Sequence, residues 1–210
     1  MDLARRQELF LDAAELSFAF IKLTYDRLVG TLGGQNPELK AVDPPDAAVL
    51  DAWVIVDLAE RLREVLERTP GLKENETLSR FSKYLRDSVK ALRDHVQHLE
   101  EKAAGIAPTG FPIWGSISWA HVLSGKEIEV RCYIPGRLAK CEGVPIVNPA
   151  GRRFRAAIDH VELTVNRDTI NVSELCRRIG EFGVAFNAAV DAAQKCGQRD
   201  SKGLLRFQVG

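Results

Sequence analysis

One uninterrupted apolar stripe in the middle of the chain constrains the fold more than any other sequence feature. Its members recur every three or four positions, the repeat of one α-helix face; they are Leu78, Phe81, Leu85, Val89, Leu92, Val96, Leu99 and Ala103. A helix of this extent, about 39 Å at 1.5 Å per residue, is stable only when its apolar face packs on other helices. The stripe therefore predicts the central helix of a bundle.

Two further helices are predicted before this stripe. The first is expected from Leu3 to Val29 and ends before the glycines at Gly33 and Gly34. Its expected apolar face consists of Leu9, Ala13, Leu16, Phe20 and Leu23, with a second apolar set alongside it. The second helix begins at a capping Asp46, directly after two prolines. The first half of the chain thus predicts an all-helical unit.

The residue pattern changes after Ala104, where glycines and prolines precede segments that alternate with period two. Strands are predicted over 114–121, 127–134, 138–147 and 159–165, with a short strand over 169–172 that pairs back on the last of these. In the second strand Ile128, Val130, Cys132 and Ile134 are expected to share one face, opposite to Glu127, Glu129, Arg131 and Tyr133. A last helix, capped by Ser173, ends near Cys196 and Gly197.

These elements predict an α+β fold in three parts. Residues 1–104 form a helical bundle, and 113–197 form a small antiparallel sheet with a closing helix that packs on the bundle. The polar residues 198–210 form a loose tail.

Composition excludes several classes of protein. The 210 residues contain 29 lysines and arginines against 29 aspartates and glutamates, so a nucleic-acid site would need a local basic patch. No apolar run is long enough to cross a membrane, and neither a secretory signal nor a Cys-x-x-Cys pair occurs. The expectation is a cytoplasmic protein with reduced thiols and no membrane association. Phosphate-cradling and dinucleotide-binding glycine motifs are absent, so no cofactor is expected.

The segment Arg93-Asp94-His95-Val96-Gln97-His98 concentrates chemically useful side chains on the central helix. Histidine exchanges protons near neutral pH, and the arginine fork suits phosphate. Asp94 and His98 are four residues apart and share a helix face, so the carboxylate could orient the imidazole. Arg93 and His98 are about 140° apart on a straight helix, by the 100° step per residue. Their cooperation would need a bend in the helix or a group from a second copy of the chain.

A basic stripe leads along the same helix to this segment. Lys83, Arg86, Lys90 and Arg93 lie within about 80° of helix surface. A local positive track of this kind is typical of proteins that contact a nucleic-acid backbone. An ordinary solvated helix face is the alternative interpretation.

The arrangement Arg93-Asp94-x-x-x-His98 in a helical bundle resembles the motif of the HEPN superfamily. The resemblance implies metal-independent RNA cleavage at a composite site between two protomers of a homodimer, as in toxin and defence proteins, some of which have a neutralising protein partner. It assigns His98 to acid–base chemistry at the ribose 2′-hydroxyl, Arg93 to the scissile phosphate and Asp94 to orientation. Lys83, Arg86 and Lys90 would contact the RNA backbone.

Two other functions stay open at this point. The same helix could be the dimer interface of a non-catalytic scaffold protein, so whether the chain is an enzyme is undecided. Alternatively, His95 and His98 could bind a metal together with Asp94 or Glu101, although no metal site is the expectation.

Residues elsewhere in the chain offer other candidate contacts. His121 and His160 are expected to have structural roles. Of Trp114 and Trp119, one should be buried and the other exposed. The cluster Arg152-Arg153-Phe154-Arg155 is either a solvated loop or a contact for RNA or another partner.

Overall fold

The structure is a computed structural model that describes residues 2–34, 46–72, 75–98, 101, 110–123, 127–136 and 144–209. Its elements, in chain order, are α1 (Leu3–Gly33), α2 (Asp46–Arg68), α3 (Glu76–Gln97), β1 (Ser116–Val122), β2 (Ile128–Tyr133), β3 (Ile158–Val165), β4 (Asp168–Asn171) and α4 (Val172–Lys195). Three helices, an antiparallel sheet and a closing helix confirm the predicted α+β class.

Helix α1 buries a different face from the one predicted. Its buried residues are Gln7, Leu11, Ala14, Phe18, Ile21, Thr24, Leu28 and Leu32, whereas Leu9, Leu16, Phe20 and Leu23 are exposed. The helix also continues to Gly33 instead of ending at Val29, because Leu28 and Leu32 are both fully buried in the core. Since this helix carries apolar residues on two faces, periodicity alone does not determine which face is buried.

Helix α3 follows its predicted pattern throughout the described part. Leu78, Phe81, Leu85, Val89 and Leu92 are all buried. The side chain of Val96, together with Leu99 and Ala103, lies outside the described residues. At the start of the helix, Asn75 accepts a hydrogen bond at 3.0 Å from the backbone N–H of Leu78, which satisfies one of the free donors of the first turn.

The sheet has the strand order β2-β1-β3-β4, and all its pairs are antiparallel. The predicted pairing of β4 with β3 is confirmed. The predicted strand over 138–147 is not a strand in its described part, residues 144–147. In the edge strand β2, Ile128 and Cys132 are exposed, while Tyr133 on the opposite face packs on the core. The Tyr133 hydroxyl also donates to Asp46 at 2.6 Å and so holds β2 against the start of α2.

Helix α4 closes the helical bundle. Asn171, and not the predicted Ser173, caps its first turn by accepting from the Glu174 N–H at 2.8 Å. Phe182 stacks on Phe81 of α3 with ring centroids 3.8 Å apart, and Phe186 lies 5.7 Å from Phe18 of α1. Aromatic packing therefore joins the two ends of the chain in one core.

The last residues, predicted to be a loose tail, pack on α1 instead. Leu204, Leu205 and Val209 are buried. The fully buried amide of Gln7 donates to the Leu205 carbonyl at 3.0 Å and accepts from the Leu205 N–H at 2.7 Å. A single buried glutamine thus anchors a segment whose polar composition predicted no packing.

Candidate functional site

The predicted motif lies where α3 ends. The helix stops at Gln97, and His98 has non-helical backbone angles of φ −116° and ψ 41°. The His98 N–H still donates to the Asp94 carbonyl at 3.2 Å. Because the backbone of His98 is no longer helical, the separation of about 140° expected on a straight helix does not fix the direction of the His98 side chain relative to that of Arg93.

Arg93 is held by the neighbouring helix. Its Nη1 donates to Oε1 of Glu60 on α2 at 2.6 Å, and 32% of its side chain is exposed. The nearly buried Glu60 carboxylate also accepts two hydrogen bonds from Arg63, at 2.8 and 2.6 Å. These bonds from Arg63 are the main cause that lowers the pKa of Glu60, so the carboxylate stays charged. A guanidinium has five N–H donors, so Arg93 keeps donors for a second anion.

His98 is the most accessible member of the motif. Its side chain is 56% exposed, and its Nδ1 lies 3.8 Å from the carboxylate of Glu101, which is itself largely exposed. Within the described residues no hydrogen bond joins the Asp94 carboxylate to this imidazole. The orienting role expected for Asp94 is therefore not supported by a direct contact with His98. An exposed imidazole beside a helix end can still reach a molecule in solvent.

His95 has a separate, structural contact. Its side chain is 8% exposed, and its Nε2 lies 2.8 Å from Oδ2 of Asp168 at the start of β4. A carboxylate can only accept, so we assign the proton to Nε2. The Nδ1 atom is buried without a hydrogen-bond partner. His95 thus connects the end of α3 to the β3–β4 turn, and the described residues include no cluster of three or more His, Cys, Asp or Glu suited to a metal ion.

The basic stripe on α3 is partly neutralised by α2. Lys83, Arg86 and Lys90 are exposed, but Arg86 donates to Glu67 at 2.8 Å, much as Arg93 donates to Glu60. Among the described residues Lys83 and Lys90 have no ion pair, and along the helix Lys90 lies between the two paired arginines. The stripe therefore carries less unpaired positive charge than the sequence predicts.

The other candidate residues lie in separate parts of the fold. Trp119 is buried and Trp114 is exposed, as expected for one of each. His121 lies partly buried at the end of β1. His160 contacts the Arg153 carbonyl at 3.2 Å, and Arg152 pairs with Glu162 of β3 at 2.8 Å. None of these side chains belongs to the α3 site.

A large groove, which the sequence did not predict, lies between α1 and α4. Its volume is about 980 Å³, and it is lined by residues of both helices and by the loop 152–156. At one end the Tyr25 hydroxyl donates to Ser173 at 2.9 Å, and burial raises the pKa of Tyr25 to about 12. Beside it, hydrogen bonds from Arg177 lower the pKa of Glu174 to about 2. The only sequence signal of this groove is the pair of glycines Gly180 and Gly183 inside a helix.

Comparisons of this chain with protein-family models, with curated proteins and with solved structures give no match. Among the described helices, none is both long and apolar enough to cross a lipid bilayer.

Proposed function

We propose that this protein acts on RNA through the end of α3, as the HEPN resemblance implies, and that it is a metal-independent endoribonuclease of the toxin or defence type. The observation that carries the proposal is the solvent-exposed His98, placed just beyond a helix that also presents a partly exposed Arg93. An acid–base group and a phosphate-binding group are thereby accessible within one six-residue segment.

The chemistry assigned to these groups is a transesterification. The His98 imidazole accepts the proton of a ribose 2′-hydroxyl, and the 2′-oxygen attacks the adjacent phosphorus. The bond from phosphorus to the 5′-oxygen breaks, and that oxygen takes up a proton, so the products are a 2′,3′-cyclic phosphate and a 5′-hydroxyl. The Arg93 guanidinium balances the negative charge that builds up on the phosphate oxygens.

The ion pair with Glu60 gives Arg93 a fixed position. The Glu60 carboxylate lies on α2 and is tied to Arg63, so it holds Arg93 from the side away from solvent. A phosphate would then bind to the remaining donors of Arg93. Lys83 and Lys90, exposed on the same helix, would contact neighbouring phosphates of the strand.

The composite site between two protomers stays a prediction of the resemblance. Because α3 ends at Gln97, helical geometry does not keep Arg93 and His98 of one chain apart. The proposal therefore applies to one chain as well as to a pair, and a neutralising protein partner is compatible with both.

One observation favours the alternative of a non-catalytic scaffold protein. The hydrogen bond of 2.6 Å between Arg93 and Glu60 joins α3 to α2 and would serve a purely structural role. In that case Arg93 would contribute to the stability of the fold, and replacing His98 would have no effect on RNA.

The deciding experiment compares single variants in an RNA-cleavage assay with a chelator present. We expect the wild-type chain to cut RNA and His98→Ala to lose about 10²- to 10⁴-fold of the rate, with the thermal midpoint unchanged because the side chain is exposed. His160→Ala is the matched control, since it removes another imidazole far from α3, and it should leave the rate unchanged. No cleavage by the wild-type chain, or full activity of His98→Ala, would contradict the proposed enzyme.

RNA binding gives an independent measurement. The slope of log affinity against log salt concentration reports the number of phosphates that a protein contacts. If Lys83 and Lys90 each contact a phosphate, replacing both by alanine should reduce the magnitude of this slope by about 1.4 for single-stranded RNA. Binding that is equally salt-dependent in wild type and variant would place the RNA elsewhere. A wild-type chain without RNA affinity would leave the scaffold interpretation.

A further inference from the structure

The outer face of α1 carries an apolar ridge that no described part of the chain covers. Leu9, Leu16, Phe20 and Leu23 are 42%, 54%, 49% and 66% exposed. They follow one another at intervals of seven, four and three residues and lie within about 60° of helix surface, by the 100° step per residue. Contiguous exposed apolar side chains on a folded domain are typical of an interface. We refer to these four residues as the α1 ridge.

The groove between α1 and α4 lies directly beside this ridge. Phe18, Ile21 and Ile179 contribute to its apolar lining. A side chain at Gly183 would come within 3.0 Å of the Phe18 ring, so this glycine lets the two helices approach closely. Gly180 has nothing within 4 Å of its Cβ position, so the groove is open there. Val184, 74% exposed, stands at the same place and extends the apolar surface outward.

The charges around the groove balance one another. Five lysines and arginines and five carboxylates line it; they are Lys22, Arg152, Arg153, Arg155 and Arg177, and Glu15, Asp26, Asp159, Glu174 and Glu181. Several are paired within the chain, as Lys22 is with Asp26 and Arg177 with Glu174. A free phosphate or carboxylate would therefore bind only weakly in this groove. An occupant with an apolar ridge and mixed charges fits it better.

We propose that the occupant is a second copy of this chain, whose α1 ridge lies in the groove while its own groove receives the first ridge. A two-fold contact requires that one surface patch be complementary to itself, and a ridge beside a groove on the same helix meets this requirement. With the two α1 helices antiparallel and the axis near the level of Phe18, Leu16 of one copy comes to the same level along the helices as Phe20 of the other. Ala13 then comes to the level of Leu23.

Charge complementarity supports the antiparallel orientation. Asp12 and Glu15, both exposed, lie on the groove side of the ridge in the N-terminal half of α1. The loop with Arg153 and Arg155 lies at the other end of the groove, where Asp26 of α1 also lines it. Antiparallel packing brings the acidic half of one helix beside the arginine loop of the other copy. Within the described residues the Arg153 guanidinium has no ion-pair partner, so it is available for this contact.

This inference is independent of the RNA-acting site. Helix α1 packs on α2, α4 and β3, and its ridge points away from that core. Helix α3 packs on α2, α4 and β4. The dimer would therefore leave the Arg93–His98 segment of both copies outside the contact, and either proposal can fail without the other.

Sedimentation velocity of the full chain at micromolar concentration tests the proposal. We expect the wild type to be a dimer and Leu16→Asp or Phe20→Asp to weaken it by about 100-fold or more, because the contact would bury an unpaired carboxylate. Leu50→Asp is the matched control: Leu50 is 61% exposed on α2, so this variant should stay dimeric. Thermal midpoints measured in parallel confirm that each variant is folded. A monomeric wild type, or a dimer that Leu16→Asp leaves intact, would overturn the proposal.

A charge exchange and a cross-linking experiment test the orientation. Asp12→Lys should weaken the dimer, and adding Arg153→Glu should restore it. In a background with serine at positions 132, 141 and 196, a mixture of Leu16→Cys and Phe20→Cys chains should form mostly the mixed disulfide. Parallel helices would instead give each variant's own disulfide, and that result, or a failure of the charge exchange, would refute the antiparallel arrangement.

Discussion

Replacing Glu60 by glutamine removes one negative charge between α2 and α3 while keeping the volume of the side chain. The carboxylate accepts hydrogen bonds of 2.8 and 2.6 Å from Arg63 and one of 2.6 Å from Arg93. Arg63 is 13% exposed and would keep its contact with Glu67 and at most one hydrogen bond to the glutamine oxygen. Arg93, about one third exposed, would be released toward solvent.

The size of the effect follows from these exposures. Hydrogen bonds that involve a charged group contribute about 1.5–3 kcal/mol when they are shielded from water, as those of Arg63 are. The more exposed pair with Arg93 contributes at most about 1 kcal/mol. Since the glutamine oxygen can still accept one bond, we expect Glu60→Gln to lower the free energy of unfolding by about 2–3 kcal/mol. The thermal midpoint should then fall by about 5–10 °C for a chain of this length.

Urea unfolding at pH 7 measures this loss, and Glu64→Gln is the matched control. Glu64 is on the same helix but lies 3.8 Å from an exposed Arg68, so its replacement should change stability by less than about 0.5 kcal/mol. If Glu60→Gln is no less stable than Glu64→Gln, the ion pairs do not hold α2 and α3 together. The effect should also shrink in acid. The pKa of Glu60 is lowered by its bonds with Arg63, so this stabilisation is complete above the ordinary carboxyl pKa of about 4.3 and is lost as the pH falls through the folded value.

The same variant connects stability to the proposed function. If Arg93 binds a phosphate from the position that Glu60 gives it, removing the Glu60 carboxylate should lower RNA affinity. RNA affinity of Glu60→Gln that equals that of the wild type, measured below its unfolding temperature, would argue that Arg93 has only a structural role.

Three further outcomes are expected. Gln7→Ala should lower the free energy of unfolding by about 2–4 kcal/mol in urea, because the buried N–H and carbonyl of Leu205 lose their partner; a loss below about 1 kcal/mol would contradict this anchoring role. Gly115→Ala should destabilise far more than Gly151→Ala in the same assay, since both have positive φ but only the first would place a methyl group within 2.8 Å of a side chain; equal losses would argue against this close contact. For Glu174, whose pKa is lowered to about 2, stabilisation is present above about pH 4.3 and is lost toward pH 2. The glutamine variant should therefore show a shallower fall of thermal midpoint with acid, and parallel curves would refute this.

The sequence predicted those elements whose pattern leaves only one buried face. The stripe from Leu78 to Leu92 is apolar on one side of α3 alone, so its burial follows from periodicity. Residues 159–165 likewise alternate, and Val161, Leu163 and Val165 are buried as expected. The α+β class follows from the change of period after Ala104. The sequence also predicts the candidate chemistry of Arg93 and His98, because that prediction depends only on residue type and spacing.

Tertiary packing decided everything that depends on which neighbour is present. Helix α1 has apolar residues on two faces, and only its contacts with α2 and α4 determine that Phe18 is buried while Phe20 faces solvent. Spacing along one helix cannot show that Glu60, 33 residues before Arg93, binds its guanidinium. The packing of the last residues also depends on distant neighbours, since Gln7 and Leu205 are 198 residues apart. The groove likewise forms only where α1 and α4 come together. The sequence pattern shows local periodicity and the chemistry of each residue. Which distant residues contact one another depends on how the helices pack together to exclude water.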